Sequence, residues 1–171
     1  MRYFEDFSIG TVDHKGGAYL VTEAEIIEMA ERWDPQPFHT DPVAAADTMF
    51  GGIVACSAHV FAISCSLHSK VPATEKVAAV SALGFDKLRL HAPVRPGDEL
   101  RARSTVVELR RSRSRPGVGI VSSSGELLNQ RDEVVFSLES AAMVRCRPEA
   151  STGADTADAS DPGEDLAVRV S

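Results

Sequence analysis

No stretch of the 171-residue chain reaches the roughly 18 uninterrupted apolar residues that a membrane-spanning helix needs. The nearest candidate, residues 53–67, is too short and is interrupted by His59 and by serine and cysteine side chains. Cysteine is scarce: Cys56, Cys65 and Cys146 are an odd number at wide spacing, and no pair has the spacing of a zinc site. Free thiols in a reducing compartment are therefore expected. The opening run Met1-Arg2-Tyr3-Phe4-Glu5-Asp6 carries acid and lacks the apolar core of a secretory signal. A soluble, cytoplasmic protein with no membrane partner is the expectation. A basic excess is missing too, since the net charge is −7. Residues 149–171 hold −5 of this, leaving −2 for residues 1–148. A nucleic-acid partner is not expected of such a balance.

What is present is ordinary for a globular protein: 43% hydrophobic and 25% charged residues. The length suits a single domain with a full core, and no internal repeat is found. From Ala150 onward Ser, Thr, Ala, Asp and Gly dominate. That segment has too little apolar surface to offset its ordering entropy. The division expected is one domain over 1–148 and an acidic, disordered tail over 149–171.

Thr22-Glu23-Ala24-Glu25 reads as a capping box opening a helix. Ile26, Met29, Ala30 and Trp33 recur at helical spacing as its buried face. Asp34-Pro35 ends it, because the residue before a proline is pushed out of the helical region. Asp41-Pro42 reads as an N-cap and first helical residue of a short Ala-rich helix. Residues 53–67, after Gly51-Gly52, are apolar or small nearly all round, the signature of a buried helix. Strands then follow over 77–85, 87–91, 100–109 and 118–128, with a last long one from Val134 to Val144. Turns fall at Pro93-Val94-Arg95-Pro96-Gly97-Asp98 and Asn129-Gln130-Arg131-Asp132. Helices followed by antiparallel strands make an α+β domain, and a sheet wrapped around a central helix fits.

The densest polar cluster is Asp34-Pro35-Gln36-Pro37-Phe38-His39-Thr40-Asp41-Pro42. Two prolines fix the path between Asp34 and His39, so a carboxylate and an imidazole could be held toward one cleft for acid–base work. The alternative is a proline-rich loop in which Asp34 caps a helix end and His39 is merely hydrogen-bonded.

These residues carry a resemblance. Tyr3-Phe4-Glu5-Asp6-Phe7, the Trp33 to Pro42 block, Phe50-Gly51-Gly52, Pro93 to Asp98, Ser112-Arg113-Ser114 and Asn129-Gln130 resemble MaoC-like dehydratases, in order over about residues 3 to 147. The chain is similar to the (R)-specific enoyl-CoA hydratases, whose motif places an Asp five residues before a His, as Asp34 and His39 stand. The resemblance implies a hot-dog fold, a homodimer and an acyl-CoA or acyl-carrier thioester substrate, with no metal or redox cofactor. It implies reversible hydration of a trans-2-enoyl thioester to an (R)-3-hydroxyacyl thioester. Asp34 and His39 would be the acid–base pair. A backbone N–H at the start of the buried helix would face the thioester oxygen.

The family's helix segment reads like Ala-Ser-Gly-Trp-His, whereas this chain has Ala55-Cys56-Ser57-Ala58-His59. Ser57 stands where the family has its oxyanion-hole glycine, and Cys56 replaces a serine with a weaker hydrogen-bonding group. Gly52, Cys56 and Ser57 are the expected substrate-binding positions. Cys56 as a nucleophile stands against Cys56 as a small packing residue, and His59 reads as a satisfied core histidine. The run Arg110-Arg111-Ser112-Arg113-Ser114-Arg115 reads as a solvated strand end, with a phosphate role for Arg113 left open. Two rival functions remain: a hot-dog thioesterase, which would want a carboxylate or nucleophile on or beside the buried helix, and a non-catalytic acyl-thioester-binding subunit.

Overall fold

The computed structural model describes residues 1–148. The expectations for the tail lie outside the described residues.

The chain begins with a single 3-10 turn at Phe4–Asp6 and then strand β1 (Val12–Leu20). Helices α1 (Glu23–Trp33), α2 (Pro37–Thr40), α3 (Pro42–Ala46) and α4 (Ser57–Ser69) follow. Strands β2 (Ala79–Leu90), β3 (Glu99–Arg111), β4 (Val118–Leu128) and β5 (Val134–Arg145) complete it. All strand pairings are antiparallel, in the order β1-β3-β4-β5-β2. The sheet wraps α4, so the architecture is the expected α+β hot-dog arrangement. The core sits between α4 and the sheet. Val60, Ile63 and Leu67 of α4 share it with Leu100, Leu127 and Phe136, each no more than 2% exposed.

Local chemistry explains several boundaries. Thr22 caps α1 by accepting a hydrogen bond from the Glu25 N–H at 3.3 Å. Asp41 caps α3 by accepting from the N–H groups of Val43 and Ala44. Strand β4 coincides with the expected 118–128 run, and the 129–132 turn closes the last hairpin with Asp132 at φ +60°.

Five expectations are corrected. Trp33 is 62% exposed, and only Ile26 and Ala30 of the expected α1 face are fully buried. The Arg32 guanidinium lies over the Trp33 ring instead, at 5.2 Å. Residues 77–85 and 87–91 are not two strands: β2 runs through Lys87, which takes φ +50° where the register slips. The path from Asp34 to His39 is not all loop, since Pro37 opens the one-turn helix α2. Finally, α4 starts at Ser57, not at Ile53. Residues 53–56 are extended because their backbone groups have partners elsewhere: the Val54 N–H donates to the Phe38 carbonyl at 3.2 Å and the Ala55 N–H to the Val94 carbonyl at 2.8 Å.

The helix also fails to be buried all round. Ala58, Ala62, Cys65 and Ser69 form an exposed stripe of small residues along it. Strand β2, at the sheet edge, leaves Val80, Leu83, Phe85 and Leu90 between 42% and 49% exposed.

Candidate active site

Asp34 and His39 come together as their spacing suggested. Asp34 is the C-cap of α1, held by its backbone N–H donating to the Ala30 carbonyl at 2.8 Å. His39 lies on α2, and its own N–H donates to the Gln36 carbonyl at 2.9 Å. The imidazole is 7% exposed, edge-on to the Phe38 ring at 4.4 Å. Phe38 in turn packs against Phe50 at 5.4 Å.

The hydrogen bonding of His39 fixes its tautomer. Nδ1 lies 2.6 Å from the Val54 carbonyl oxygen. A carbonyl only accepts, so Nδ1 carries the proton and, in the neutral ring, Nε2 presents a lone pair. Nε2 faces Asp34 Oδ2 at 3.7 Å, beyond direct hydrogen-bond reach. One water can lie within reach of both atoms. The Asp34 carboxylate is 38% exposed, so water has access to it.

The extended 53–56 segment ties this pair to α4. Val54 binds Phe38 through its N–H and His39 through its carbonyl. Three residues later α4 begins, with Ser57 and Ala58 as its first residues, both exposed. Their N–H groups have no intrahelical partner by helix geometry, and the N-cap, Cys56, makes no side-chain capping bond. Exposed N–H donors at the positive end of a 13-residue helix suit an oxygen that gains negative charge.

The other expected positions fare differently. Cys56 is 1% exposed and packs in the interior. Gly52 lies in the loop before α4, five residues ahead of the helix start at Ser57. Its φ of +150° explains the glycine, and a Cβ there would meet only Arg95 Nη1, at 3.9 Å. The sequence marks Arg95 only as part of the Pro93 to Asp98 turn. Arg95 donates to the Phe50 carbonyl at 2.6 Å and so fixes the loop that precedes α4. His59 is buried as expected but not satisfied: neither ring nitrogen has a hydrogen-bond partner. The sequence marks Glu25 only as half of a capping box. Its side chain turns instead to the Tyr19 hydroxyl, which donates to Oε1. Desolvation, then this carboxylate, pushes the Tyr19 phenol up to about 12. Arg110 to Arg115 form the exposed end of β3 and the following turn, as expected.

A cavity of about 510 Å³ runs between α4 and the sheet. Apolar side chains such as Phe61, Phe85 and Val121 make up most of its wall, and Asp13, Lys15, Glu75 and Lys76 also line it. Neither Asp34 nor His39 lines it. It begins a turn beyond Ser57 and follows α4 to Ser69.

Comparison with known proteins agrees with this fold. The family model for the MaoC-like domain matches residues 9–125. A MaoC-like dehydratase from Rhodospirillum rubrum is 34% identical and superposes with a TM-score of 0.80, over 86% of this chain and 99% of that one. The uncharacterized protein YdeM of Bacillus subtilis is 28% identical over 144 residues, which is 82% of this chain and 97% of YdeM. The (R)-hydratase PhaJ1 of Pseudomonas aeruginosa, 20% identical with a TM-score of 0.66 over 92% of this chain and 96% of that one, shares the fold. The chain belongs to the MaoC-like dehydratase family.

Proposed function

We propose that the chain hydrates trans-2-enoyl thioesters of coenzyme A or an acyl carrier, reversibly, to (R)-3-hydroxyacyl thioesters. The single observation that carries this reading is the juxtaposition of Asp34 Oδ2 and His39 Nε2, 3.7 Å apart, with the lone pair of Nε2 directed at the carboxylate. A water between them is oriented by both acceptors. Its oxygen attacks the β-carbon while the pair takes one of its protons. The α-carbon then receives one proton from the pair, so the pair ends in the state in which it began. Negative charge that gathers on the thioester oxygen is met by the N–H groups at the start of α4. The acyl chain runs into the apolar cavity beside Phe61. The proposed reaction calls on no metal or redox cofactor.

The active assembly is a cytoplasmic homodimer. A long edge strand with four exposed large apolar side chains, beside a helix stripe of small ones, is surface that an isolated chain leaves open and a second copy covers. Analytical ultracentrifugation of the full chain at micromolar concentration should give the mass of two chains. A one-chain mass would remove this part of the reading.

Crotonyl-CoA tests the reaction. Its conjugated double bond absorbs in the ultraviolet, and incubation with the protein should bleach that absorbance, yield the (R)-3-hydroxy product and release no free thiol. Thiol release would favour the thioesterase, although α4 holds neither Asp nor Glu. No turnover of any enoyl chain length, together with tight binding of acyl-CoA, would replace the enzyme with a binding subunit.

A further inference from the structure

Three polar side chains from three elements meet on the far side of α4's first turn. Tyr19 is near the end of β1, Glu25 in the first turn of α1, and His59 in the first turn of α4. Glu25 Oε1 accepts the Tyr19 hydroxyl proton and stands 3.5 Å from His59 Nε2. His59 is 3% exposed, and neither of its ring nitrogens completes a hydrogen bond.

That imidazole is in the wrong place for a packing residue. Val60, Ile63 and Leu67 fill the same interior without polar atoms, and leucine at position 59 would avoid the cost of burying two unsatisfied nitrogens. What leucine would lack is an electrostatic contact with Glu25. This contact joins two elements that matter to the proposed reaction. Helix α1 starts beside Glu25 and ends at Asp34, about 14 Å away at 1.5 Å per residue. Helix α4 starts at Ser57, just after the Val54 carbonyl that holds His39. Tyr19 adds β1 to the same junction.

We propose that His59 and Glu25, with Tyr19, are positioning residues. Their contact holds the first turn of α4 at a fixed distance from α1. It thereby keeps the N–H groups of Ser57 and Ala58 in register with Asp34 and His39. The inference rests on the hydratase reading for its kinetic consequence, though not for its structural one.

The test compares Glu25→Gln, His59→Leu and His59→Gln in the full-length chain, with crotonyl-CoA as the probe. Misplaced catalytic groups lose turnover more than binding, so kcat should fall about 10- to 100-fold in His59→Leu. KM should stay within about two-fold, and the melting temperature should be unchanged or higher. Glu25→Gln should fall similarly. His59→Gln, whose amide places a polar N–H group toward Glu25 where leucine has none, should recover most of the rate. Wild-type kcat in His59→Leu, or a rate loss that merely tracks unfolded protein, would overturn the proposal. The same samples carry a readout independent of activity. Glu25→Gln, remote in sequence from both, should shift the amide resonance of Ser57 and the ring resonances of His39. If the wild-type protein hydrates no enoyl thioester, the proposed function fails and this arm alone decides: shifted resonances keep the positioning role, unshifted ones remove it.

Discussion

Asp34→Asn should lower kcat for enoyl-thioester hydration by about 10²- to 10⁴-fold, the range general acid–base catalysis supplies. The variant should remain folded, and the reason is visible in the geometry. The side chain of Asp34 is 38% exposed, and among the described residues the one basic side chain within 4 Å of its carboxylate is the His39 imidazole, at 3.7 Å. Its structural task at the end of α1 is done by its backbone N–H, which asparagine keeps. Stability should therefore shift by no more than about 0.5 kcal/mol. His39→Gln should lose turnover comparably but at a cost in stability. It removes a donor from the Val54 carbonyl in the interior, which is worth about 1–3 kcal/mol if the oxygen is left unpaired. The double variant should be little slower than either single one, because the two groups handle one water as a unit. Steady-state rates and thermal melts on the same preparations check all three. An Asp34→Asn protein that keeps more than a tenth of the wild-type rate would end the assignment of Asp34 as an acid–base group.

Gly16→Ala should be the most destabilising small change in β1. Gly16 sits at the bulge where the β1–β3 register slips between Lys15 and Ala18, with φ at +70°. A Cβ there would stand 2.3 Å from the Leu67 carbonyl oxygen and 2.9 Å from its carbonyl carbon and Cα. These are backbone atoms in α4, so no side chain can swing aside, and β1 must lift from the helix. The left-handed conformation costs about 1–2 kcal/mol for an alanine, and overpacking adds about 1–3 kcal/mol. At about 2–4 °C per kcal/mol for a chain of this size, the melting temperature should fall by roughly 4–20 °C. Gly17→Ala is the control: its φ is +73°, but its Cβ would meet nothing within 4 Å. It should show the conformational cost alone. Equal melting temperatures for the two variants would show that the close approach of β1 to α4 is not what makes Gly16 necessary.

Much of this protein is determined by short-range chemistry and is legible along the chain. Thr22 and Asp41 cap their helices because hydroxyl and carboxylate oxygens reach N–H groups two or three residues on. Strand β4 ends where the turn residues Asn129 to Asp132 begin. Asp34 and His39 meet because two prolines leave the four residues between them few paths. The family resemblance, carried by blocks from one end of the domain to the other, names the hot-dog fold before any packing is seen. The rest required segments distant in sequence to come alongside. Residues 53–56 continue the apolar run of α4, yet Phe38 and Val94 take their backbone groups and delay α4 to Ser57. Glu25 leaves its capping box for a hydroxyl on β1. Trp33 has a helix-face spacing, but no element covers it among the described residues. Gly16 looks like any turn glycine until Leu67 stands against it. Periodicity and capping act over three or four residues, so the sequence determines where helices and strands can form. Which backbone and side-chain groups then pair depends on contacts between residues 6 to 51 positions apart, and only the tertiary structure decides those.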